Sequence, residues 1–409
     1  MKSSFKFLSF WFLVFIVTGC SEPIKYDLVI SNVHIFDGEK NLGITNIAIA
    51  GDTVATISIE TLLADSVIDG TGKFVVPGLV NAHVHMWESE MLATSHDVGV
   101  LTVLDLFELS LSEENAMRQY RDSLGYSNYY GAGPGATVRN GHPHTYLPLS
   151  DDFPFISDSL SASEFVKIAV EKGAEVIKII REPGWYEEAK LVELPTLSYQ
   201  QIEEIIHEAN SHGLKSLVHI TKLDDALAIA ALRPSGFAHF WETQGELSEE
   251  DKKLLKESGI FFIPTLKLQQ NLNMQTQYDT TMSQIQREFD YQNYLVPDKL
   301  FEEKIYEIYE LGIPIIAGTD PPNEGVNYGS DLIEELRIYD RAGIPLLEVL
   351  KTATGNATRH LPIDGNGSLK VGSPATMLIL NGNPLENLDA LEDISMIIKN
   401  GHQSVRAPR

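Results

Sequence analysis

Cysteine is almost missing from this chain of 409 residues, which contains one. An intramolecular disulfide is therefore excluded, and so is a zinc site built on several thiolates. A bound metal would have to rest on imidazole, carboxylate or lysine-derived ligands. Basic residues are also scarce, with 31 Lys and Arg against 57 Asp and Glu and a formal net charge of −26. That balance argues against nucleic acid as a partner, because neutralising phosphates takes Lys and Arg. There is no internal repeat of fixed period and no low-complexity tract. What remains is an ordinary globular composition, 43% hydrophobic and 22% charged, in a chain long enough for a large core. The length suits two or three domains of roughly 100–200 residues, or one α/β barrel with additions.

The first twenty residues have their own character. Lys2 and Lys6 precede an apolar run at 7–17 (FLSFWFLVFIV), broken only by Ser9 and ending in Val17-Thr-Gly-Cys20. The run falls short of the about 20 residues a membrane-spanning helix needs, but it fits a secretory signal. The lone cysteine directly follows Gly19, and the arrangement resembles the lipobox of bacterial lipoproteins, whose cysteine is acylated and becomes the new N-terminus. The resemblance implies a signal peptide at 1–19 and lipidation at Cys20. It also implies export and a lipid anchor to the bacterial cell envelope, on its periplasmic side or at the outer membrane. A plain signal peptide with a chance cysteine is the other reading. So acidic a surface is repelled by anionic headgroups, which makes a covalent lipid the better attachment.

Residues 26–60 alternate apolar and polar positions around turn signals, and residues 367–401 have the same texture. Between them, short apolar runs alternate with longer helical stretches. The runs are 79–85, 100–106, 135–141, 175–180, 216–220, 236–240, 260–266 and 313–320. Ser198 with Gln201, and Ser248 with Asp251, read as capping boxes that open helices, while Gly213 and Gly259 close them. Eight strands with helices between them imply an α/β fold, a parallel (β/α)8 TIM barrel with its site at the C-terminal ends of the strands. The terminal segments flank it and are expected to join as one small β-sandwich. The expected boundaries are 20–78, 79–359 for the barrel, and 360–409.

Polar residues punctuate the ends of these strands. His83 and His85 lie two apart on one strand, so both point to the same face. Lys178 interrupts an apolar run, where an unpaired ammonium is costly. His219, His239 and Asp320 each stand late in a strand. Each has a bland explanation alone: a solvated strand end, a core salt bridge, a hydrogen-bonded core histidine, a helix cap. Their shared placement, late in strands 1, 4, 5, 6 and 8, points instead to one site for a zinc-class divalent ion.

The chain resembles the amidohydrolase superfamily in an ordered set of motifs. They are VPGLVNAHVH at 76–85, VIK at 176–178, VH at 218–219, AH at 238–239, AGTDP at 317–321, TATGNAT at 352–358, and the region from GSLKVG (367–372) to NPL (383–385). The resemblance implies a metal-dependent hydrolase of an amide or cyclic amide, with two divalent ions, zinc being the expected metal. It assigns His83 and His85, completed by Asp320, to the first ion, and His219 and His239 to the second. Lys178 matches the lysine that takes up CO2 as a carbamate bridging both ions. A hydroxide between the ions would be the nucleophile, and Asp320 would carry its proton to the departing amine. Asn81, where many relatives have Asp, and Ala375-Thr376, in place of Ala-Asp, depart from the pattern.

The loop after strand 3 offers Arg139, His142, His144 and Tyr146, and the one after strand 4 offers Arg181, Trp185 and Tyr186. They are read either as surface residues or as a small-molecule pocket in which Arg139 or Arg181 clamps a substrate carboxylate. The second reading suggests an N-acyl amino acid or dipeptide. Two alternatives stay open. One is a mononuclear deaminase or imidazolonepropionase-like hydrolase; the other is a lipoprotein that binds a ligand without turnover.

Overall fold

The structure is a computed structural model describing residues 24–109, 116–150, 152–187, 190–241, 246–278 and 298–404. The signal segment and Cys20 lie outside the described residues. Within them, no helix is long and apolar enough to cross a membrane.

The fold is α/β. Two parallel sheets form its centre. In one, Leu79–Val84, Val100–Asp105 and Asn128–Gly131 lie side by side. In the other the order is Val176–Ile180, Lys215–His219, Gly236–Ala238 and Phe261–Ile263. Strands such as 100–105 and 176–180 are buried at every position, which is why they read as unbroken apolar runs rather than alternating ones. The sheets connect: Glu175 N donates to Gly131 O at 2.9 Å, and beyond it Ala136 N donates to Lys178 O at 2.8 Å while Ile180 N donates back to Ala136 O at 3.0 Å. At the other side Ile316 N donates to Phe262 O at 2.8 Å, and Ala82 N donates to Ala317 O at 2.9 Å. Hydrogen bonds thus lead from the first strand around to residues 313–317 and back to the first strand.

Two expected strands differ. The third is Asn128–Gly131, not 135–141, where Ala136 alone makes a bridge. Pro134 between two glycines interrupts the pairing there, since proline has no N–H to give. Residues 313–320 likewise carry a single bridge, at Ile315, beside Pro314. The helices start as their sequences direct. Ser198 and Ser248 accept from the N–H groups of Gln201 and Asp251, whose side chains close the boxes. Ser161 and Glu164 form a third box that the sequence reading passed over. Each such cap is worth about 1 kcal/mol. Gly259, at φ 77°, ends its helix in the left-handed region open to glycine. The helices bury Phe165, Ile202, Leu255, Ile305 and Leu336 against the outside of the strands.

The two ends of the chain meet in a separate eight-stranded sheet. Phe74–Pro77 pairs in parallel with Lys25–Phe36 and antiparallel with Met377–Leu380, so it stitches N-terminal to C-terminal strands. Ile30, Ile47, Val75, Met377 and Ile398 fill the core of this unit.

Candidate metal centre

Because the central strands run parallel, their C-terminal ends open on one side of the fold, and the six expected ligands all gather there. His85 and His239 stand one residue beyond their strands, His219 closes its own, and Lys178 sits inside Val176–Ile180. Asp320 is the hub. Its Oδ1 lies 2.8 Å from His85 Nε2 and 3.4 Å from His83 Nε2, and its Oδ2 lies 3.9 Å from His239 Nε2. Lys178 Nζ stands 3.5 Å from His83 Nε2. The ring centroids of His219 and His239 are 4.5 Å apart, and those of His83 and His239 are 4.6 Å apart. Five of the six are more than nine-tenths buried; His85 is slightly more open.

Two features show backbone geometry committed to this site. His239 and Asp320 have φ of 69° and 65°, a region that non-glycine residues enter at a cost of about 1–3 kcal/mol. Hydrogen bonds hold them there, from Asp320 N to His83 O at 2.8 Å and from His239 N to Ile263 O at 2.9 Å. Outer partners fix the rings. His85 Nδ1 lies 3.2 Å from Phe107 O, and His239 Nδ1 lies 2.8 Å from Thr265 Oγ1. Both Nε2 atoms are thereby turned toward Asp320, the arrangement ligating histidines adopt.

The donor set fits a divalent cation. His219 Nε2 is buried with no hydrogen-bond partner among the described residues, and ligand atoms of His83, His239 and Asp320 lie within 4.8 Å of one another. A buried orphan imidazole nitrogen is costly unless something fills its lone pair. Burial, joined by the positive Lys178, lowers His219 to about 3 and drives His83 well below its usual range. These imidazoles are thus neutral, the form that binds metal. His85 is different: burial alone would lower it, but Asp320 and Asp105 outweigh that and raise it to about 9. Burial brings Lys178 down to about 7 against the opposing pull of Asp320 and Asp105.

The centre opens into a cavity of about 560 Å³. His142 and Tyr146 line it, and the His142 ring lies 4.7 Å from that of His219. The two arginines do not line it. Arg181 Nε donates to Asp225 Oδ1 at 2.9 Å and Nη1 to Leu197 O at 2.7 Å, while the guanidinium covers Tyr199. Arg139 lies over Phe155, 4.6 Å from the ring centroid. The expected carboxylate clamp is therefore not formed: Arg181 is partnered on the protein, and Arg139 lies exposed over Phe155, outside the lining. His144 Nδ1 accepts from Asn140 N at 2.9 Å and braces the loop rather than the cavity. The side chains of Trp185 and Tyr186 lie outside the described residues. Sequence reading missed Glu182 and Thr221, which line the cavity just past strands 4 and 5. The rule that picks out the expected ligands, polar residues at strand ends, reaches both when extended by two positions.

Residues 74–403 match the amidohydrolase family, and the chain belongs to it. It is a hydrolase acting on carbon–nitrogen bonds. Over 390 residues it is 25% identical to a 5-methylthioadenosine/S-adenosylhomocysteine deaminase of Thermoanaerobacter pseudethanolicus, covering 87% of this chain and 85% of the relative. Among solved structures it resembles a putative prolidase from Bifidobacterium longum, with a TM-score of 0.75 and 25% identity, covering 95% of this chain and 97% of that one. A Xaa-Pro dipeptidase with bound methionine shares the fold at a TM-score of 0.76 and 20% identity, covering 92% of this chain and 99% of that one.

Proposed function

We propose that this protein is a binuclear metal-dependent amidohydrolase that cleaves an amide or cyclic amide. Its core would be a (β/α)8 barrel over 79–359, and the ring of hydrogen bonds described above supports that reading. The composite β-domain would come from 20–78 and 360–409, and Cys20 would carry the lipid anchor. His83, His85 and Asp320 would hold one zinc-class ion, His219 and His239 the other, with Lys178 as a carbamate between them. The observation that carries this is Lys178: a buried amine brought to about 7, its Nζ 3.5 Å from a histidine nitrogen in a nest of imidazoles. An ammonium there faces two incoming cations, whereas the neutral amine can take up CO2 and become an anion. Bound ions would supply electrophilic polarisation of the carbonyl and of the attacking water.

The chain's own groups would do the rest. Asp320, 2.8 Å from His85 Nε2, would accept the proton of the attacking water and pass it to the nitrogen as the C–N bond breaks. The amine then leaves neutral and the acyl carbon keeps the water's oxygen. A mononuclear deaminase is the second reading, favoured by the deaminase relative and by the single tight group His83, His239 and Asp320. Metal analysis of the active protein decides between them. About two ions per chain supports the first and one supports the second, while none with activity intact removes both. His219→Ala should halve the metal content under the first reading and abolish turnover.

A further inference from the structure

The walls of the cavity beyond the proposed ligands are mostly apolar. Trp87, Phe107, Leu147, Ile180, Leu268 and Leu272 provide aromatic and branched surface suited to an alkyl or aryl group. Among the described lining residues outside the proposed ligand set, one formal charge stands out, and it is negative. Glu182 is buried, with Oε1 accepting from Gly184 N at 3.0 Å and Oε2 from Thr221 Oγ1 at 2.8 Å. That carboxylate is fixed 3.6 Å from His219 Nε2, at the edge of the reacting centre. The nearby arginines lie outside the lining: Arg181 is bonded to Asp225 and Leu197, and Arg139 lies over Phe155. An acidic group on a substrate would meet a fixed acid and, among the described lining residues, no lysine or arginine beyond the ligand set.

We infer that the cavity takes an uncharged amide with an alkyl or aryl flank, and that Glu182 is a specificity-determining residue that turns away substrates carrying a carboxylate beside the scissile bond. The inference rests on the proposed amidohydrolase reading and narrows its substrate class, away from N-acyl amino acids and free dipeptides. Like charges forced together in a dry site oppose binding by enough to be read easily as a ratio.

The test uses three matched compounds: N-(phenylacetyl)pyrrolidine, N-(phenylacetyl)proline and N-(phenylacetyl)prolinamide. They share ring and scissile bond and differ in the carboxylate. Binding to the metal-loaded wild-type protein is measured by calorimetry, and hydrolysis by amine release. Both neutral compounds should bind at least about tenfold tighter than the acid. Glu182→Gln, which keeps the size of the side chain and an acceptor oxygen, should shrink that gap by strengthening binding of the acid. The wild-type ratios stand even if the variant fails to fold. Tighter binding of the acid, no millimolar binding of either neutral compound, or an unchanged gap in a folded Glu182→Gln protein would overturn the inference. If the neutral compounds bind preferentially but no amide is hydrolysed, the amide-cleaving reading fails while the selectivity stands.

Discussion

Asn81 ties the first strand to the segment that carries Asp320. Its Nδ2 donates to Thr319 Oγ1 at 2.7 Å, and its Oδ1 accepts from Thr319 N at 3.1 Å. The same oxygen takes a weaker bond from His83 N at 3.3 Å. One buried amide thus sets the spacing between His83 and Asp320. Asn81→Ala should lower stability by about 1–3 kcal/mol, because the buried Thr319 Oγ1 loses the Asn81 donor and Thr319 N keeps only a long bond to His83 O at 3.4 Å. It should also weaken metal retention about tenfold, as loss of an outer-sphere partner typically does. Urea unfolding and competition with a chelator measure the two effects. Unchanged retention would show that Asn81 braces the fold without positioning the site.

Gly318 makes the close approach of this segment to the first strand possible. A Cβ built there would lie 2.5 Å from Ile263 Cγ2 and 2.9 Å from both the Cβ and the backbone nitrogen of His83. Backbone cannot yield as a flexible side chain does. Gly318→Ala should therefore displace His83 and reduce bound metal, with a stability loss of about 1–3 kcal/mol from overpacking. Metal content at equal folded fraction, judged by circular dichroism, is the measurement. Full occupancy in the variant would mean that His83 moves freely or does not ligate.

What could be read from the sequence follows from physical regularity. The strands buried on both faces announced themselves as apolar runs, and the polar residues at their ends, His83, Lys178, His219, His239 and Asp320, stood out against that background. Parallel order then gathered them on one side. Asn128–Gly131 escaped notice because its Asn and Tyr residues hide an apolar pattern. Residues 135–141 gave a false signal, since they follow Pro134 into a loop where Ala136 alone bridges. The arginines misled for another reason. Sequence position placed Arg181 beside the site, but its side chain reaches Asp225, 44 residues away, and no local pattern records such a bond.

Lys178 yields a prediction about CO2. The amine that attacks CO2 is the neutral one, and burial lowers this lysine to about 7. Loading of metal-free protein with zinc should therefore be faster and more complete with bicarbonate, and the gain should grow as pH rises through about 7. Lys178→Ala should lose activity, with partial recovery from small carboxylates that occupy the vacated space. Mass spectrometry of the native loaded protein, read against the Lys178→Ala variant, should find one added CO2 in the wild type alone. Loading indifferent to bicarbonate would favour the mononuclear reading.

Cys20, outside the described residues, carries the proposed anchor. Cys20→Ser should abolish lipid labelling and leave the protein in the soluble or unprocessed fraction. Incorporation of labelled fatty acid into that variant would remove the lipoprotein proposal.

Glu335 governs the wall of the cavity from behind. Its Oε1 accepts from Leu266 N at 2.9 Å and from the Tyr339 hydroxyl at 2.7 Å, and its Oε2 accepts from Lys267 N at 2.6 Å. Two orphan N–H groups at the start of helix Leu266–Tyr278 are thereby satisfied. That helix presents Leu268, Gln269 and Leu272 to the cavity. Burial pushes the Glu335 carboxyl up to about 7 from 4.5, even though Tyr339 and the two backbone donors pull the other way. The folded state therefore holds a proton that the unfolded chain releases at lower pH. This stabilising contribution is complete below about 4.5 and is lost as pH rises through about 7. Glu335→Gln is permanently neutral, so the stability of wild type relative to this variant should fall by about 3 kcal/mol between pH 4.5 and 8. Urea midpoints of both proteins across that range give the difference directly and cancel every other titrating group. A gap that stays flat, or widens toward high pH, would show that the carboxylate is ionised in the fold and that its three donors outweigh its burial.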